Sequence, residues 1–221
     1  MPYFFLPPGE VGFPPAHFAD IDGLLAQGGD IRPDWLLAGY RNGAFLWASP
    51  MEPLKWWSPD PRVVLYPEQL QVPQEIQALL EASPYETRFS SDLPQILAFC
   101  ESIENKKMMY PGWITPPFKE AYLSLEQMGF VRSVGLWQKD QLIAAAFGVQ
   151  IGPLYFGEHV CSTVADGEAI ALALLAQKLG TVGVSVMDVH RETNLCMDIG
   201  FEEISRNEYL DLLKKGLEQY V

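Results

Sequence analysis

Hydrophobic and polar positions change period several times along the chain, and each change predicts an element. From Pro33 to Asn42, residues Trp35, Leu36, Leu37 and Tyr40 recur at helical spacing; Pro33 suits a first helical position and Gly43 a stop. Around that helix, residues 1–62 are rich in Pro, Gly and Trp, with turn-prone pieces at Gly28-Gly29 and Ser58-Pro59-Asp60-Pro61-Arg62. They predict a small N-terminal domain with few regular elements. From Val63 the texture changes. Residues 63–66 read as a strand, 74–82 as a helix, 85–90 as a strand and 93–104 as a helix. Over 116–128, Phe118, Ala121, Tyr122 and Leu125 share one helical face. The runs 130–138, 141–151 and 154–161, separated by Lys139-Asp140 and Gly152-Pro153, predict an antiparallel meander. A strongly apolar helix over 167–180 follows, then a short buried strand at 184–189, a helix at 191–198, a strand at 201–205 and a helix at 207–219.

Two early helices, a meander, a central helix and a closing strand–helix–strand give the order of the acyl-CoA N-acyltransferase (GNAT-like) fold, an α+β class with a mainly antiparallel sheet. The expected division is a small domain over 1–62 and a GNAT-like domain over 63–221. Composition agrees with a packed core: 48% of the 221 residues are hydrophobic and 19% charged. No run approaches the roughly 18 apolar residues of a membrane span, and the proline-broken start lacks a basic n-region, so a cytoplasmic protein is expected. Cys100, Cys161 and Cys196 are widely spaced with no CxxC, which argues against a disulfide framework and a zinc site and leaves buried free thiols. The net charge of −13 suits solubility and a basic partner better than non-specific nucleic-acid binding.

Three blocks then carry a resemblance. Asp22-Gly23-Leu24-Leu25-Ala26-Gln27-Gly28-Gly29-Asp30, Tyr40-Arg41-Asn42-Gly43 with Phe45-Leu46-Trp47, and Trp56-Trp57-Ser58-Pro59-Asp60-Pro61-Arg62 are long, ordered pieces. Together with Trp113-Ile114-Thr115, Phe156-Gly157-Glu158 and the stretch from Asp188 to Arg206, they closely resemble leucyl/phenylalanyl-tRNA–protein transferases. The resemblance implies transfer of Leu, Phe or Met from the 3′ end of aminoacyl-tRNA to proteins beginning with Arg or Lys. A monomer is expected. No metal and no organic cofactor are expected, because aminolysis of an ester needs only a proton acceptor, oxyanion stabilisation and alignment.

The resemblance also assigns residues. Asp188 matches the family's catalytic carboxylate, and strand alternation puts Asp188 and His190 on one face. Strand geometry alone favours the plainer reading, that the two satisfy each other. Glu158 is the family's Gly-Glu carboxylate, suited to an α-amine or a basic acceptor. Trp47 and Trp113 match tryptophans that flank the terminal adenosine, where stacking contributes about 1–3 kcal/mol per base; core packing is the ordinary role of such residues. Ala146, Tyr155, Phe156, Val160, Leu172, Leu175, Leu179 and Met187 match the apolar pocket for the donor side chain.

The chain departs from the pattern in three places. Position 190 is usually Gln, the segment 159–169 reads His159-Val160-Cys161 in place of a Ser and two apolar residues and Asp166-Gly167-Glu168-Ala169 in place of the family's Asn-Ala-Ser-Lys run, and the 74–82 helix lacks the basic residues that touch the tRNA body. Arg41, Lys55, Lys106 and Lys107 remain as candidate phosphate contacts. The departures leave two alternatives open: an acyltransferase using another donor or acceptor, and a non-catalytic binder of basic N-termini.

Overall fold

The computed structural model describes residues 3–49, 52–82, 85–90, 92–107, 112–190 and 193–218. The N-terminal part is more regular than the sequence predicts. Four short strands, β1 (Phe4–Leu6), β2 (Leu24–Gly28), β3 (Phe45–Trp47) and β4 (Lys55–Trp57), form a sheet in the order β1-β2-β4-β3. Three of the four have three residues, too short for a two-residue period to stand out. Their core is aromatic. Phe13 meets the rings of Trp35 and Trp56 edge-on, at 5.6 and 4.7 Å between centroids. Trp35 enters from α1 (Pro33–Arg41), the helix that the apolar spacing predicted.

The glycines of the first block earn their places through backbone contact. At Gly28 φ is +96° and a Cβ would stand 2.4 Å from the Leu6 carbonyl oxygen, where β1 and β2 close on each other. The same residue accepts a 3.0 Å hydrogen bond from the Trp56 indole N–H.

The second sheet has seven strands: β5 (Arg62–Leu65), β6 (Glu86–Phe89), β7 (Val131–Gln138), β8 (Gln141–Ile151), β9 (Leu154–Ser162), β10 (Val186–Asp188) and β11 (Glu202–Ile204). They lie in the order β11-β5-β10-β9-β8-β7-β6. β7, β8 and β9 are the expected antiparallel meander, and among the described residues of this sheet only β9 and β10 pair in parallel. The remaining helices are α2 (Gln74–Ala82), α3 (Leu93–Lys107), α4 (Pro116–Gln127), α5 (Gly167–Thr181), α6 (Asn194–Asp198) and α7 (Arg206–Glu218).

Alternation along the strands divides the core into two layers. Phe147, Phe156 and Cys161 pack with α1, α3 and α4, whereas Ala146, Tyr155 and Met187 pack with α5. α5 is apolar on nearly every side and is buried accordingly. Local signals set the ends: Pro116 opens α4 with the Thr115 hydroxyl accepting from the Phe118 amide at 3.4 Å, and Thr193 caps α6 through the Cys196 amide at 3.2 Å. The sequence placed that last helix at 191–198; residues 191 and 192 lie outside the described residues.

α7 ties the two sheets together. The Arg206 amide donates to Asp60 Oδ1 at 3.0 Å, and its guanidinium reaches the carbonyls of Ala19, Asp20 and Pro59 at 3.3–3.4 Å.

Gly28→Ala is expected to lower stability by about 1–3 kcal/mol, the range for a residue forced into an unfavourable backbone conformation. Gly12→Ala, where a Cβ meets nothing within 4 Å, should stay within about 0.5 kcal/mol of the parent. Urea unfolding compares them, and equal midpoints would refute the strand-closure account.

Candidate active site

β10 stops at Asp188, opposite Phe156, while β9 runs on to Ser162. Beyond that point the two strands no longer share a ladder, and a cavity of about 310 Å³ opens between them. That volume is at the lower end of the range for small-molecule sites. β8 contributes Ala146 and Phe147, β9 contributes Tyr155 and residues 157–160, and α5 contributes Glu168, Leu172 and Leu175. Val189, His190, Thr193, Leu195 and Cys196 close the far side, and Trp47 stands at the rim.

Five of the eight expected pocket residues, Ala146, Tyr155, Val160, Leu172 and Leu175, line this cavity; Phe156, Leu179 and Met187 do not. Tyr155 and Phe156 are consecutive on a strand and must face opposite layers. Phe156 accordingly stacks on Tyr40 across the sheet, at 4.7 Å. Met187 on β10 and Leu179 on α5 itself are sealed in the core between the helix and the sheet. The departures at His159, Val160 and Glu168 all face the cavity.

The polar wall is a chain of charged groups. His190 Nε2 lies 3.3 Å from Glu158 Oε1, and its Nδ1 lies 3.7 Å from Asp188 Oδ2. Strand alternation does not produce this. The chain has already left β10, and His190 sits at φ +70°, so a turn swings the ring back over Asp188. The turn is held by the His190 amide donating to Asp188 Oδ1 at 2.8 Å, and the ring lies flat against Phe45, 4.0 Å between centroids. Burial favours the neutral imidazole, but the carboxylates of Asp188 and Glu158 outweigh it and raise the His190 pKa above its ordinary 6.5.

Asp188 is buried beneath His190 and is not among the cavity's lining residues. Burial pushes its carboxyl up; the Arg62 guanidinium and His190 override that and hold it well below the usual carboxylate range. Arg62, equally buried, pairs with Asp188, donates to the Gly43 carbonyl at 2.9 Å and lies 4.1 Å from the Tyr209 ring centroid. The Tyr209 hydroxyl completes the shell by donating to Asp188 at 2.8 Å. Glu158 is held in turn by the Tyr40 hydroxyl, which stands 2.7 Å from that of Tyr122. Burial, reinforced by the Glu158 charge, pushes both phenols up, so they remain protonated donors.

Sequence reasoning missed these supports. Tyr40, Tyr122 and Tyr209 were assigned to apolar faces or passed over, and the only available signal was a hydroxyl at a core position that must find a partner.

The two tryptophans are placed differently. Trp47 is 44% exposed at the rim, and it lines both the cavity and a second recess. Trp113 is half-buried; it meets Phe118 edge-on at 4.9 Å and His159 at 5.3 Å, and borders the cavity only through His159. The second recess, about 480 Å³, shares Trp47 and His190 with the cavity and is lined also by Asp22, Phe45, Glu52, Lys55, Trp57 and Pro59. Of the candidate phosphate contacts, Lys55 pairs with Glu52 at 2.7 Å and Arg41 borders a separate recess beside Lys214. Lys106 is exposed on α3, and the Lys107 side chain lies outside the described residues.

Comparison with known proteins adds the family context. A profile described as leucyl/phenylalanyl-tRNA protein transferase matches residues 64–214, and one for that protein's N-terminal domain matches residues 29–60. A leucyl/phenylalanyl-tRNA–protein transferase from Azoarcus sp. is 37% identical over 94% of this chain and 87% of its own. The enzyme of that name from Magnetococcus marinus is 37% identical over 99% of this chain and 94% of its own. Among solved structures, a GCN5-related N-acetyltransferase from Kribbella flavida aligns at a TM-score of 0.45 with 12% identity, over 76% of this chain and 60% of that one.

Arg62→Met would leave Asp188 buried without its counter-charge, and is expected to cost about 3–5 kcal/mol. Replacing both, Arg62→Met with Asp188→Leu, should recover much of that loss. Because the folded pKa of Asp188 is depressed, its contribution is present above the ordinary value of 3.8 and fades as the pH falls below it. Urea melts at neutral and acid pH read both effects; an Arg62→Met protein as stable as the parent would contradict the pairing.

Proposed function

The chain belongs to the leucyl/phenylalanyl-tRNA–protein transferase family, and we propose that its cavity receives the aminoacyl end of the charged tRNA while the neighbouring recess receives the acceptor. It is an aminoacyltransferase that moves Leu or Phe from aminoacyl-tRNA to the N-terminal Arg or Lys of a protein. We further propose that this tags the acceptor for degradation in the cytoplasm, where charged tRNA resides, and that the enzyme works as a monomer. Among the described residues no helix is long and apolar enough to cross a membrane.

The observation that carries the site assignment is that Trp47 and His190 belong to both hollows. The donor's Leu or Phe side chain goes to the apolar floor made by Ala146, Tyr155, Val160, Leu172 and Leu175. The terminal adenosine stacks on the exposed face of Trp47, with Trp113 steadying the wall behind His159. Glu158, fixed by Tyr40, offers a carboxylate to an ammonium group. The acceptor's basic side chain is drawn to Asp22 in the second recess, which suits a chain of strongly negative net charge.

In the transfer, the acceptor amine attacks the ester carbonyl. A C–N bond forms, the bond from that carbon to the ribose oxygen breaks, and the amine proton moves by way of His190 to the departing oxygen. Neutral His190 is the form that accepts a proton, so its activity grows as the pH rises through its elevated pKa. Asp188 does not reach the cavity; it acts as a positioning residue that fixes the turn at His190.

Incubating the protein with labelled leucyl-tRNA and a peptide beginning with Arg tests the reading. Transfer is expected, and its absence with intact binding of the peptide would favour a non-catalytic binder. His190→Gln should retain transfer but rise less steeply between about pH 6 and 8, because only the acceptor amine, with a model value of about 7.7–8.0, still titrates. An unchanged slope would remove His190 from the proton path.

Asp22→Asn should raise KM for the Arg peptide and leave KM for charged tRNA unchanged, whereas Leu172→Ala, on the floor of the first cavity alone, should do the reverse. Equal shifts in both constants would show that the two hollows do not separate the substrates.

A further inference from the structure

Behind the cavity, residues far apart in sequence meet. Cys100 lies on α3, and His159 and Cys161 lie on β9. Their ligand atoms all fall within 4.8 Å of one another, with the two sulfurs 3.0 Å apart. Neither cysteine is exposed, and both are free thiols. His159 and Cys161 are two apart on a strand, so both side chains leave the same face; Cys100 and Glu104 are four apart on a helix and share a stripe. The helix stripe faces the strand pair, with Glu104 Oε1 3.4 Å from His159 Nε2. That buried nitrogen has no hydrogen-bond partner, an unusual state for a polar atom at such depth.

We propose that Cys100, His159 and Cys161, with Glu104 as fourth ligand or as the partner of the His159 ring, form a binding site for a thiophilic divalent cation of the zinc class. Two thiolates and an imidazole are soft donors that select zinc over magnesium or calcium. Two sulfurs on one tetrahedral zinc stand about 3.8 Å apart, given a Zn–S bond of about 2.3 Å. Loading therefore asks the pair to open by somewhat less than an ångström. The widely spaced cysteines concealed this in the sequence, where no CxxC marks it. Its place gives it a consequence: His159 faces the aminoacyl cavity on one side and meets Trp113 edge-on, so a bound cation would fix the wall between them. The site stands independently of the substrate assignment.

Cobalt(II) added to the reduced, metal-stripped full chain tests it. One equivalent should bind with the sulfur-to-cobalt charge-transfer absorption of thiolate ligation, and zinc should displace it. Cys100→Ser and Cys161→Ser should lose that absorption, while Cys196→Ser, at a thiol elsewhere, should keep it. Glu104→Gln, a mild change with folding monitored by circular dichroism, should weaken cobalt binding about 10–100-fold, as loss of an outer partner usually does. Failure of the reduced wild type to bind cobalt would overturn the proposal, as would undiminished binding in the double cysteine variant. So would a thiol count showing that the pair exists as a disulfide even after purification under reducing conditions.

Discussion

The buried ion pair between Arg62 and Asp188 is the contact on which the rest of the site depends. Two charges removed from water incur a desolvation penalty that their mutual attraction repays only when the remaining donors and acceptors are also satisfied. Here the pair and its hydrogen-bond partners come from four separate segments, and of the three guanidinium nitrogens Arg62 Nε is the one left without a partner. The Gly43 carbonyl comes from the turn between α1 and β3, Arg62 opens β5, Asp188 ends β10, and the Tyr209 hydroxyl arrives on α7. The full set of contacts around the pair therefore forms only when the N-terminal sheet, the main sheet and the last helix have all docked. His190 is placed by the same assembly, since its turn is held by the other oxygen of Asp188.

Above that pair the chemistry rests on a break in sheet regularity. β10 is three residues long beside a nine-residue β9. Backbone groups that would have laddered instead border a hollow, and α5 supplies its apolar floor. Along one wall Tyr40, Glu158 and His190 hold one another, while α5 brings Glu168 beside Leu172 and Leu175. A linked polar wall facing a mostly apolar floor suits recognition of an apolar side chain next to an amine.

Much of the larger domain was legible because its elements are long and periodic: the meander and α5 carry eight to fifteen residues each. The N-terminal sheet was not, because strands of three residues carry almost no period and depend on tertiary aromatic contacts. Asp188 and His190 do come together, but through a left-handed turn that alternation could not foresee. Tyr155 and Phe156 could not both face one pocket, a limit already present in strand geometry. The tyrosine hydroxyls that hold Glu158 and Asp188 were hidden by residue type, since a tyrosine on an apolar face looks like any other core residue. The Cys100–Cys161 meeting was hidden by distance along the chain, 61 residues apart.

Trp47 and His190 border both hollows. On the proposed division each substrate has its own hollow, so neither has to leave before the other arrives. Such an arrangement favours a ternary complex and direct handover, with initial-rate lines that intersect rather than run parallel, and it gives the enzyme no reason to carry the aminoacyl group covalently between its two clients.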